Sequence, residues 1–220
     1  LRRWGEIIDE CLGGTLRASE PGMTEKEVEA DLKRRILDSE ADGWGVTLAL
    51  AGTRTAELME DASDYRIAEG DLVLIDTGAV YDGYYTDVSR TVAVGEPDPE
   101  LKRRYDAVRE AAEAARGVVE AGRELRDIQV AATDVLDEAG YLDLFERNSG
   151  RVGHGVGLDG HEPPYVGPEN ADPMQVGHVI TVEPGLYEPG LGGIRIEDDI
   201  AITEDGPEIL TDLSRDLHLS

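Results

Sequence analysis

Two apolar rhythms alternate along this chain. Val28, Leu32 and Ile36 recur four residues apart, and the same spacing returns at Ile128, Ala132 and Leu136. Spacing of i, i+4, i+8 puts all three side chains on one face of a helix. Each set is preceded by another helix-like segment, about residues 2–19 and 99–121. Each is followed by a short continuous apolar run, Leu72-Val73-Leu74-Ile75 in one case and Val179-Ile180-Thr181-Val182 in the other. Such runs, bounded by glycine and turn residues, predict buried strands.

The two stretches match in more than rhythm. Gly22 precedes the first helix and Gly122 the second, with Glu27 and Asp127 just before the first apolar positions. Gly70 lies six residues before Asp76, and Gly177 six before Glu183. Each half therefore reads helix, helix, strand, strand, with halves at about 1–98 and 99–220. The expectation is one domain over residues 1–220, with the halves related by a pseudo-two-fold. The boundary at Glu96-Pro97-Asp98-Pro99 reads as a helix lead-in, with Asp98 as N-cap and Pro99 at the first helical position. Gly140 reads as a helix stop.

Acidic residues sit at the ends of the predicted strands. Asp76 follows the first apolar run, and Asp87 comes eleven residues later, beyond Tyr81-Asp82-Gly83-Tyr84-Tyr85. A tight hairpin of that length brings the two carboxylates onto adjoining strands, with Thr77 and Gly78 expected to supply the turn. Asp82 reads as a turn residue, and Asp71 as a solvated strand start. Glu183 follows the second run, and Glu197 comes after the Gly-rich turn Pro189-Gly190-Leu191-Gly192-Gly193. Arg195 stands two residues before Glu197, on a stretch that alternates as a half-buried strand should. A buried carboxylate is costly unless something positive meets it. His154 lies between Gly153 and Gly155, and glycine lets backbone approach a ligand closely. His161 follows in the same loop, beside Glu162-Pro163-Pro164. Four carboxylates and one imidazole form a hard, oxygen-rich set suited to pairs of Mn, Fe, Co or Zn.

Composition narrows the partners. The chain has 220 residues, with 21 basic and 48 acidic side chains and a formal charge of −27. Nucleic-acid phosphates and anionic membrane surfaces are poor partners for such a surface. Only Lys26, Lys33 and Lys102 are lysine. An acidic, lysine-poor surface resembles that of proteins from salt-loving organisms. Cys11 is the single cysteine, so no internal disulfide or thiolate metal site can form, which fits a reducing, cytoplasmic compartment. Cys11 reads as a small core residue. No apolar run is long enough for a membrane helix, and Leu1-Arg2-Arg3-Trp4 does not read as a signal peptide. The chain starts with leucine rather than methionine, as expected of a fragment or of a chain whose leading residues are disordered or removed.

Together the motifs Asp71–Gly78, Tyr84–Thr91, Val152–Pro164, Thr181–Gly185 and Gly193–Asp199 resemble those of the pita-bread metallopeptidases. That family includes methionine aminopeptidase, prolidase and Xaa-Pro aminopeptidase. The resemblance runs from Glu20-Pro21-Gly22 to Thr203-Glu204-Asp205-Gly206-Pro207. His161-Glu162-Pro163-Pro164 and Arg195-Ile196-Glu197-Asp198 are similar to the proline-directed branch. It implies an α+β pita-bread fold, with the two halves around a curved antiparallel sheet. It implies a metal pair, Mn first with Co, Zn or Fe as alternatives. Asp76 would bind one ion, His154 and Glu183 the other, and Asp87 and Glu197 would bridge. Glu183 is the expected proton carrier, His161 the group that stabilises the oxyanion, and His161 and Arg195 the substrate contacts. The implied reaction is hydrolysis of Xaa-Pro bonds in a peptide substrate, with a homodimer as the assembly common in the family. One family feature is missing. A histidine normally found shortly before the first strand is replaced near Met59 and Glu60. A non-catalytic peptide-binding domain and a creatinase-like C–N hydrolase are the alternatives that this departure leaves open.

Overall fold

The computed structural model describes residues 1–58, 60–148 and 150–218. The first half opens with two helices, α1 (Arg2–Ala18) and α2 (Glu25–Asp38). Thr24 starts α2 with a reciprocal cap: its hydroxyl accepts from the Glu27 amide, and the Glu27 carboxylate accepts from the Thr24 amide. This satisfies two donors that a helix start leaves open. Val28, Leu32 and Ile36 are all buried, as their spacing predicts.

Strands β1 (Gly43–Ala51), β2 (Leu72–Tyr81), β3 (Tyr84–Tyr85) and β4 (Val88–Ala93) form the first sheet. Both β1 and β4 pair with β2, antiparallel, and β3 pairs with its end. Here two expectations need correction. Strand β2 does not end at Asp76 but continues to Tyr81, because Ala79 and Tyr81 are buried and keep the strand on the core. The turn falls at Asp82 and Gly83, both at positive φ, rather than at Thr77 and Gly78. Asp71 is half-buried at the strand start, and its Oδ2 accepts from the Tyr65 hydroxyl at 2.9 Å and the Ala68 amide at 2.8 Å.

The second half repeats the order. Helix α3 (Pro99–Gly117) starts on Asp98, whose carboxylate accepts from the Glu100 amide, with Pro99 just inside. Helix α4 (Arg126–Glu138) buries Ile128, Ala132 and Leu136. Gly140 follows at φ +80°, and the Tyr141 amide reaches back to the Leu136 carbonyl at 2.7 Å. After α5 (Leu142–Asn148) come β5 (Gly153–Gly155), β6 (Glu162–Val166), β7 (Val179–Val182), β8 (Gly185–Glu188), β9 (Gly192–Arg195), β10 (Asp198–Thr203) and β11 (Gly206–Ile209). Five of these make a sheet in the order β11-β10-β7-β5-β6, while β8 and β9 form a separate hairpin. All pairings are antiparallel.

The repeat is written in hydrogen bonds. The Gly22 amide donates to the Ile67 carbonyl, and the Gly122 amide to that of Met174, both at 2.8 Å. Gly70 donates to Val94 at 2.7 Å, and Gly177 to Ile202 at 2.9 Å. Ile75 lies opposite Arg90 in the first sheet, as Val182 lies opposite Asp198 in the second. Asp76 and Glu183 are thus equivalent, and so are Ser89 and Glu197. These last two form a bridge to each other, which joins the sheets where the halves meet. Each helix pair covers its own sheet with its own apolar core. Cys11 is buried in the first of these.

Where the halves meet, a charge cluster supports the join. Arg90 and Asp198, equivalent by register, form a buried ion pair at 2.6 Å. Arg215 at 2.8 Å and Arg116 at 3.3 Å take the other oxygen of Asp198. These cations hold the Asp198 carboxyl below its usual range although burial opposes them.

Candidate metal centre

The expected ligands come from five separate places in the fold. Asp76 lies mid-way along β2, opposite Ser89. Asp87 lies in the short link between β3 and β4. His154 is the middle residue of β5, and Glu183 follows the last residue of β7. Glu197 sits between β9 and β10, its amide donating to the Ser89 carbonyl at 3.1 Å.

Close backbone approach explains the glycines around His154. A Cβ on Gly153 would lie 2.1 Å from the Thr181 carbonyl oxygen, and one on Gly155 would lie 2.6 Å from that of Glu162. Only glycine lets β5 slot between its neighbours. His154 Nδ1 is 3.0 Å from the Gly155 carbonyl oxygen. A carbonyl can only accept, so this bond puts the proton on Nδ1 and leaves the Nε2 lone pair facing the carboxylates. Nε2 lies 3.3 Å from Glu183 Oε1 and 3.7 Å from Asp87 Oδ2.

Three overlapping groups each bring one ligand atom per residue within 4.8 Å of one another: Asp87, His154 and His161; His154, Glu183 and Glu197; Asp76, Asp87 and Glu197. All five expected ligands are therefore brought together, and His161 joins at the edge, 3.9 Å from Asp87 Oδ2. His161 is exposed, unlike His154. Burial and the neighbouring Glu197 and Asp76 push the Asp87 carboxyl well above its usual range. Burial does the same to Glu197, with Glu183 and Asp76 adding to it. Glu183 is raised chiefly by burial, against the pull of Arg195. Burial lowers both imidazoles, keeping them neutral and able to donate a lone pair. Asp76 Oδ1 is buried without a hydrogen-bond partner among the described residues. Crowded carboxylates with an orphaned oxygen and a free imidazole nitrogen form a donor set that fits divalent cations.

Arg195 is buried rather than half-buried, and so are Ile196 and Glu197. The stretch bridges the two sheets, with Ile196 in the core and Arg195 and Glu197 turned to a cleft. Its guanidinium pairs with Asp76, receives the company of Tyr187 at 3.3 Å and donates to Ser89 Oγ at 2.9 Å. Burial alone would pull its pKa down, but Asp76, Tyr187 and Glu197 hold it well above.

Asp76, Asp87, His161, Glu183, Arg195 and Glu197 line one side of a cleft of about 330 Å³, whose other wall is Val46, Thr47, Leu48, Leu58, Glu60 and Asp61. Two carboxylates thus stand on the wall where the sequence lacks the histidine. Met59 itself lies outside the described residues. Sequence reasoning passed over Ser89, whose hydroxyl donates to Glu197, and Asp199, whose Oδ2 accepts the Asp87 amide at 2.9 Å. Adjacent acids at the start of an apolar strand, Asp198-Asp199, were a signal that both would be buried and in need of partners.

Residues 1–204 match metallopeptidase family M24. The chain belongs to that family. An uncharacterized peptidase of Staphylococcus aureus (strain bovine RF122 / ET3-1) is 35% identical over 212 residues, covering 96% of this chain and 60% of the relative. The M24 chain therefore spans about 60% of the length of such curated relatives. Among solved structures, an Xaa-Pro dipeptidase from Bacillus anthracis superposes with a TM-score of 0.93 at 36% identity, over 99% of this chain and 61% of that one. A prolidase from Pyrococcus furiosus gives 0.92 at 36% identity, over 97% of this chain and 63% of its own. The pita-bread expectation is borne out by this likeness to M24 structures. No described helix is long and apolar enough to cross a membrane.

Proposed function

We propose that this M24 chain carries the catalytic machinery of a two-metal exopeptidase that hydrolyses Xaa-Pro bonds. The observation that carries the reading is the convergence of Asp76, Asp87, His154, Glu183 and Glu197 in overlapping groups of ligand atoms, with Asp76, Asp87, Glu183 and Glu197 lining one cleft. Similarity to the Bacillus anthracis Xaa-Pro dipeptidase and the Pyrococcus furiosus prolidase supports the substrate class. Asp76 and Asp87 would hold one ion, His154 and Glu183 the other, with Asp87 and Glu197 shared; Mn is the first candidate. Bound divalent ions supply Lewis acidity, polarising a carbonyl and bringing the pKa of a water from ~15.7 toward ~7.

The chain's own residues do the rest. Asp76, Asp87, Glu183 and Glu197 sum to −4, which two divalent ions would balance. Glu183, its pKa raised by burial, is the proton carrier to the leaving nitrogen. His161 stands 3.9 Å from Asp87 at the open side of the cleft, where its N–H can meet an oxyanion. Arg195 lines the same cleft, and its charge serves as a substrate contact or as a balance to Asp76. A dipeptide panel tests the reading. Mn-loaded protein should release the C-terminal residue from Leu-Pro and Met-Pro but not from Leu-Leu, and chelation should stop it. Two bound ions with no cleavage of any peptide would favour a peptide-binding domain instead.

A further inference from the structure

The repeat that relates the halves also relates two hydrogen bonds that cross between them. In the first sheet Thr91 lies opposite Leu74, two residues before Asp76; in the second Asp199 lies opposite Thr181, two residues before Glu183. Thr91 and Asp199 are thus equivalent by register. Each reaches into the other half. Thr91 Oγ1 accepts the Arg195 amide and donates to the Arg195 carbonyl, both at 3.0 Å. Asp199 Oδ2 accepts the Asp87 amide at 2.9 Å. Arg195 and Asp87 stand at equivalent distances before Glu197 and Ser89, so the arrangement is a pair of crossed clamps.

We infer that Asp199 is a positioning residue for the metal centre, holding the Asp87 carboxylate in place through the Asp87 backbone. This rests on the two-metal reading above. Asp87 lies outside the β2–β4 ladder, which begins at Val88, and the hydrogen bond from its backbone N–H to Asp199 ties it to the other half. Asp199 is only 2% exposed, and no cationic side chain lies within 4 Å of it among the described residues. Its backbone is fixed on both sides: the amide donates to Thr211 Oγ1 at 2.8 Å and the carbonyl accepts from Leu210 at 2.8 Å. A buried carboxylate with one oxygen on an amide and the other unpartnered is costly for stability. It is well placed for holding a peptide that must not move. A metal ligand shared by two ions tolerates little displacement, and groups behind the ligands typically set ~10–100-fold in metal affinity.

The test compares Asp199→Ala and Asp199→Asn with the wild-type chain by calorimetric titration with Mn²⁺, alongside thermal melting in a chelator. The alanine variant should lose ~10–100-fold in affinity at one of the two sites, with its metal-free melting temperature unchanged or higher. The asparagine variant should stay within a few-fold of wild type, because its amide oxygen still accepts the Asp87 N–H. A purely structural role would lower the melting temperature of the alanine variant and leave affinity intact. The inference is overturned if the alanine variant titrates like wild type, or if asparagine is as harmful as alanine. Failure of the wild-type chain to bind Mn²⁺ would overturn the two-metal reading and this inference together, and it would be seen before any variant is made.

Discussion

Glu183 is asked to do two things, to bind a metal and to move a proton, and the two can be separated. Glutamine keeps the volume and one oxygen ligand but cannot carry the proton. In the Glu183→Gln variant, metal content should fall only partly while turnover falls by ~10²–10⁴-fold, the usual worth of general acid–base catalysis. Near-normal turnover in a folded variant would remove Glu183 from that role. The same cluster makes a pH prediction. Asp87 and Glu197 are held above the usual carboxylate range in the metal-free fold, first by burial and then by the neighbouring carboxylates, Glu197 and Asp76 for the one and Glu183 and Asp76 for the other. A raised folded pKa means that the folded state binds the proton more tightly than the unfolded one. Its stabilising contribution is complete below the ordinary carboxylate pKa of ~4 and is lost as pH rises through the raised value. Metal-free protein should therefore melt at a lower temperature at pH 8 than at pH 5. Metal-loaded protein should lack that part of the slope, because cations favour the ionised carboxylates. Melting curves with chelator and with Mn²⁺ at the two pH values check this, and parallel slopes would contradict it.

At the scale of elements, close packing around β5 matters more than strand propensity. Gly153 lies under the Thr181 carbonyl, so a methyl group there would collide with backbone at 2.1 Å. Gly153→Ala should destabilise by more than ~2 kcal/mol and displace His154, weakening metal binding; denaturant melts and titration would show both. What the sequence revealed and what it hid follow from similar reasoning. Helix faces were legible because Val28, Leu32, Ile36 and Ile128, Ala132, Leu136 each need one buried side, and all six have it. The ligands were legible because a carboxylate after an apolar run is unusual without a partner. Strand β1 was not: Gly43 and Gly45 interrupt it, and its first half alternates between intermediate and exposed. The continuation of β2 past Asp76 was hidden because Thr77-Gly78 looks like a turn, although Gly78 is there for close approach of the Thr86 carbonyl, 2.2 Å from where a Cβ would lie. The partners of the ligands, Ser89 and Asp199, depend on how two sheets meet, which local pattern does not encode.

For the whole molecule the governing quantity is charge. A formal −27 spread over 220 residues raises the energy of the compact state through self-repulsion. Screening is weak at 0.01 M salt, where the Debye length is ~30 Å, and strong at 1 M, where it is ~3 Å. The melting temperature should climb with KCl into the molar range, as the resemblance to proteins of salt-loving organisms leads one to expect. A flat response from low to high KCl would count against that reading. Counter-charges already present are placed at the join between halves, where Arg90, Arg116 and Arg215 surround Asp198. These buried pairs are screened less than surface ones, so salt should act mainly on the exposed acids.

The central claim is that five side chains from both halves make one two-metal centre. Counting bound metal tests it most directly: the chain is saturated with Mn²⁺, dialysed, and its metal measured by mass spectrometry against protein concentration. Two ions per chain are predicted, falling to one or none when Asp87 is replaced by alanine. A wild-type chain that retains no divalent ion, or an Asp87→Ala variant that retains both, would contradict the account.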